Sequence, residues 1–82
     1  MTTKTDPTTL REAHDSAMKR RPAADAGTAT WLTFHRENAR MYRAVADTDR
    51  WHHHEATYWA NREDAEAERL ASLSPEESPK RK

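Results

Sequence analysis

From Trp31 to Leu73 the chain runs without a glycine or a proline, and its large apolar residues return at steps of three and four. That spacing is the signature of an amphipathic helix, and it excludes strands, whose side chains alternate every second residue. Trp31, Phe34, His35, Asn38, Tyr42 and Val45 fall on one helical face, and Ala56, Trp59, Ala60, Glu63, Ala67, Leu70 and Ala71 continue a second stripe nearly in phase. Asp49 intrudes in the middle of the apolar face. Asp and Thr are also the residue types that accept hydrogen bonds from the free N–H groups at helix starts. The Asp47-Thr48-Asp49 run therefore predicts a break between Asp47 and His52 and an antiparallel helical hairpin. The alternative is one short helix packed on one long bent helix.

A further helix is expected ahead of the hairpin. Asp6 reads as its cap and Pro7 as its first residue, a position where the missing N–H of proline costs nothing. Leu10, Ala13, His14, Ala17, Met18 and Arg21 make its stripe. Pro22 ends it by disfavouring helical geometry at Arg21, after Lys19, Arg20 and Arg21 have placed cations beside the exposed carbonyls. The connector PAADAG follows, and Thr28 or Thr30 can cap the next helix. The expected architecture is an all-α, three-helix domain over residues 6–73, with residues 1–5 and the tail 74–82, SPEESPKRK at its end, disordered.

So small a chain buries a modest fraction of its surface. Hydrophobic residues make up 34% and charged residues another 34%, and mean hydropathy is −1.24. Leu, Ile, Val and Phe together fall below the roughly 20% under which disorder becomes a concern. Balanced charge, with 14 basic and 14 acidic residues, opposes that tendency, because disorder by self-repulsion needs a net charge. The fold is expected to rest on its aromatic residues. Cysteine is absent, which removes disulfides and thiolate metal sites. The amino terminus MTTKTDPTT lacks the apolar core of a secretion signal, and no apolar run approaches the roughly 18 residues that cross a membrane. A cytoplasmic protein without membrane contact is the expectation.

The segment WLTFHRENARMYRAVADTDRWHHHEATYWANRE resembles small uncharacterised helical proteins of actinomycetes, a likeness that covers Asp6 to Leu73. It implies a helical fold and carries over no activity, ligand or catalytic residue. A looser likeness, through Tyr42, Ala46, Ala56 and Ala60, is to one tetratricopeptide helix pair. Such arrays need several repeats at a period of about 34 residues, and this chain has room for one such pair.

The run His52-His53-His54-Glu55 is the chemical candidate. Successive side chains fan around a helix axis, so the three imidazoles cannot converge on one ion from a regular helix. Helical ligand pairs are spaced i,i+3 or i,i+4; His52 with Glu55 qualifies, and a third ligand would have to come from His35 or His14. A solvated or capping cluster is the better account, and neither metal nor cofactor is expected. Acid–base catalysis needs a titratable group in a cleft. His35 and Glu55 could approach across the hairpin, although a histidine packed at a helix interface explains the pattern as well. Gly27 is the only glycine, so no glycine-rich phosphate loop exists. The chain is read as non-enzymatic.

Two surfaces remain. Arg36, Arg40 and Arg43 share a helix face that could meet phosphates, opposed by the acidic residues Glu63, Asp64, Glu66 and Glu68 and by a pairing of Arg43 with Asp47. Trp51 and Tyr58 lie roughly opposite the main apolar stripe, so one packing layer cannot cover both faces unless the first helix lies over them. With Trp59 they form the expected partner-binding set, since aromatics with a polar handle dominate binding hot spots. The reading is a protein-interaction module whose partner is another protein or a second copy of itself. The alternative is a nucleic-acid-associated accessory protein using the arginine face.

Overall fold

A computed structural model describes residues 7–73. The chain forms α1 (Leu10–Arg20), α2 (Thr28–Thr48), a 3₁₀ turn (Arg50–His52) and α3 (His53–Leu73). It is an all-α domain built on a hairpin of the two long helices. The break falls at Asp49, within the span expected from the Asp47-Thr48-Asp49 run, so the single bent helix does not form. The expectations for residues 1–5, Asp6 and residues 74–82 lie outside the described residues.

α2 and α3 meet through small side chains. Ala39, Ala46, Ala56, Ala60 and Ala67 are all buried, and alanine allows close backbone approach while contributing little apolar area of its own. Larger groups fill the third side of the hairpin, where α1 docks. Leu10 and Ala13 join Tyr42, Val45, Ala46, Ala56 and Ala60 in one core, with Met41 and Trp59 packed against it. α1 runs antiparallel to α2, with Leu10 beside Asp49, His14 beside Tyr42 and Arg20 beside Asn38.

The start of α1 departs from expectation. Its cap is Thr9, whose hydroxyl accepts from the Glu12 N–H at 3.1 Å, and Pro7 precedes the helix. Glu12 reaches back to accept from the Thr8 N–H at 2.9 Å, a capping box displaced by one residue. The Leu10 N–H donates at 2.9 Å to the carboxylate of Asp49, 39 residues along the chain, and the Thr48 hydroxyl donates to the Thr8 carbonyl at 3.0 Å. Four side chains, those of Thr9, Glu12, Thr48 and Asp49, bond at Thr8–Glu12, and that is why the helix begins at Leu10 rather than at Pro7. Asp49, the apparent flaw in the apolar stripe, closes the end of a neighbouring helix. The start of α2 also differs: Gly27 occupies the cap without a side-chain bond, and Thr28 is the first helical residue. Pro22 stands just after the α1 cap residue Arg21, as expected.

Candidate interaction surface

The aromatic residues divide between interior and surface. Trp59 projects toward α1, its ring edge-on to His14 with centroids 5.1 Å apart and stacked with Tyr42 at 6.2 Å. The Arg62 guanidinium lies 5.5 Å from the Trp59 ring centroid. Trp59 is thus half-buried against the core. Trp51 is 94% exposed and Tyr58 54% exposed, and α1 covers neither. Its stripe turns toward the opposite side of α3, where His14 meets Trp59. Leu73, 63% exposed, stands at the far end of α3. The outer face of α3 therefore carries large apolar side chains at both ends.

Beneath that face lies a polar network that the helical wheel did not resolve. Asn38, 1% exposed, accepts from Arg20 at 2.7 Å and donates from Nδ2 to Glu63 Oε1 at 3.4 Å. The same oxygen accepts from His35 Nδ1 at 2.6 Å. Polar groups from all three helices are thereby satisfied together, as burial demands. Glu63, not Glu55, is the partner of His35: the hairpin register sets the distance between them, and spacing within one helix carries no record of that register. His35 and Glu63 also line a cleft of about 470 Å³ with Trp31, Arg62 and Arg69.

A second buried pair lies nearer the turn. The Tyr42 hydroxyl and His14 Nδ1 share a 2.7 Å hydrogen bond. Burial, reinforced by the negative charge of Glu63 and partly offset by Arg20, pushes the Tyr42 hydroxyl up to about 12. Tyr42 is therefore a neutral phenol across the physiological range.

The histidine run disperses. His52 donates to Asp49 at 2.9 Å, which helps hold that carboxyl below its usual range, after the larger effect of the Leu10 N–H. His53 donates to the Ala46 carbonyl at 2.8 Å, satisfying an orphan acceptor near the end of α2. His54 stacks edge-on to His53. His52 is turned to Asp49 rather than joined with Glu55. Among the described residues, no group of three or more metal-ligating side chains comes together.

The arginine face is mixed. Arg43 pairs with Asp64 on α3 rather than with Asp47 on its own helix, because the hairpin brings the α3 carboxylate within reach. Arg36 and Arg40 are exposed and make no ion pair among the described residues. No helix among those residues is long and apolar enough to cross a membrane. No family model, curated protein or solved structure matches the chain.

Proposed function

We propose that this protein is a cytoplasmic, non-enzymatic interaction module and that the outer face of α3, entered at Trp51 and Tyr58, is its contact surface. The observation that carries the reading is the 94% exposure of Trp51 in a chain with few large apolar residues. Tryptophan is highly buried on average, and exposed aromatics of this kind supply the anchors of protein interfaces. The interior supports the same reading, because its polar groups already satisfy one another and leave the chemistry of the surface to contact. A photo-reactive phenylalanine placed at Trp51 or Tyr58 should capture protein in living cells, while the same group at Arg40 should not. Equal capture at all three positions would remove the reading. Nuclease-sensitive adducts confined to Arg40 would transfer the function to the arginine face.

A further inference from the structure

The cleft of about 470 Å³ beside His35 and Glu63 lies at the open end of the hairpin, away from the turn that carries Trp51. The connector after α1, the first turns of α2 and the later half of α3 all border it. Trp31, Ala26 and Leu70, each half-buried, make the apolar part of its wall. The charged part is uneven. Both carboxylates are already bonded: Glu63 accepts from His35 and Asn38, and Glu66 accepts two hydrogen bonds from Arg69, at 3.0 and 2.8 Å. Arg21 and Arg62 bond to no carboxylate among the described residues. They lie over rings instead, 5.1 Å from the Trp31 centroid and 5.5 Å from the Trp59 centroid. A guanidinium stacked on a ring keeps its N–H edge available to an anion. Glu66 registers how closely the cations gather. Its carboxyl is held below the usual range chiefly by the Arg69 hydrogen bond, with His35 and Arg62 adding to it and burial opposing it.

We infer that this cleft binds a small aromatic monocarboxylate, its charge met by Arg21 and Arg62 and its ring set against Trp31, Ala26 and Leu70. The volume falls within the roughly 300–1,000 Å³ of small-molecule sites, which combine apolar walls with a few placed polar groups. Charge selects the class of ligand. Counting arginines and carboxylates alone, the lining holds three positive groups, Arg21, Arg62 and Arg69, against two negative ones, Glu63 and Glu66. That excess of one suits a monoanion. A phosphate monoester carries about −1.5 to −2 at neutral pH and would bring surplus negative charge beside Glu63 and Glu66. Guanidinium edges also match the two oxygens of a carboxylate, and an aromatic body gains an edge or face contact with Trp31 that an aliphatic one lacks. The site is separate from the contact surface at Trp51 and Tyr58 and does not depend on it.

Naphthoate serves as the probe, with uncharged naphthamide as its isostere. In proton–nitrogen NMR spectra of the full chain, naphthoate should move the indole N–H of Trp31 and the Nε–H signals of Arg21 and Arg62, and leave the indole of Trp51 in place. Naphthamide should bind at least about tenfold more weakly, and Arg21→Gln and Arg62→Gln should each cost naphthoate about tenfold, the worth of one charge-assisted hydrogen bond. Arg40→Gln should change nothing. Glu66→Gln removes a negative charge from the rim and should tighten binding about threefold, a gain that damage to the fold does not imitate. Circular dichroism should find the helix content of every variant retained. Equal affinity for naphthoate and naphthamide would overturn the anion site. So would the absence of any shift at millimolar naphthoate, or shifts centred on Trp51. Inorganic phosphate binding more tightly than naphthoate would overturn the monocarboxylate as ligand.

Discussion

Trp51 and Trp59 stand eight residues apart on one continuous stretch of chain, and the fold treats them in opposite ways. Trp59 is packed by His14, Tyr42 and Arg62. Trp51 touches almost nothing and is 94% exposed. Trp51 belongs to the 3₁₀ turn ahead of α3 and meets solvent, whereas Trp59 lies two turns into α3 on the side that meets α1. Identical side chains can thus hold the fold or be available to a partner, and their place on the helical surface decides which.

The largest test of that contrast is Trp59→Ala. It should lower stability by about 3 kcal/mol, the low end for truncating a core aromatic. Thermal melts should shift down by more than about 10 °C in a domain of this size. If Trp59→Ala left the melt unchanged, the division between core and surface aromatics would collapse.

Tyr42→Phe sharpens the interior side. It strands His14 and should cost about 1.5 kcal/mol. Because the Tyr42 hydroxyl titrates at about 12 when folded against about 10 when unfolded, its contribution is complete below the unfolded value. That contribution is lost as pH rises through the folded one. Tyrosinate absorbance in a Tyr58→Phe background, which leaves Tyr42 as the sole tyrosine, should report the raised value.

Asp49→Ala should cost about 1 kcal/mol, the worth of a helix cap. With its carboxyl held down in the folded state, the stabilisation is full above the ordinary carboxylate value of about 4. It falls away as pH drops through the lowered folded value. Chemical denaturation of parent and variant at a series of acid pH values should bring the two curves together at the acid end.

The smallest expected effect on the fold is that of Trp51→Ala. Within the monomer it should change stability by less than about 0.5 kcal/mol, as for other surface substitutions. It should weaken association far more than it alters helix content. A loss of helix content from Trp51→Ala would mean the residue serves the fold after all.

Much of this arrangement was legible before any coordinates. Helical spacing located both long helices, Asp49 marked the break, Pro22 marked the end of α1, and the wheel set Trp51 and Tyr58 apart from the apolar stripe. What escaped was register. His35 finds Glu63 instead of Glu55, and Arg43 finds Asp64 instead of Asp47, because the turn and the alanine packing of α2 on α3 fix which residues stand opposite each other. The start of α1 escaped for a related reason. Asp6-Pro7 is a strong local signal, yet the helix begins where Thr9, Glu12 and the distant Asp49 together satisfy its amides. Grouping Trp59 with Trp51 and Tyr58 rested on residue type, and type does not distinguish a ring packed on histidine from one in water.

The bond from the Leu10 amide to Asp49 also orders events in time. α1, with 11 residues, is shorter than the roughly 12–15 residues at which isolated helices become even marginal in water. It precedes the hairpin in the chain, yet the carboxylate that closes its amino end stands 39 residues later. α1 is therefore expected to settle only once the turn of the hairpin has placed Asp49 beside it. Hydrogen exchange should show this as an early loss of protection across Leu10–Arg20 while the centres of α2 and α3 stay closed.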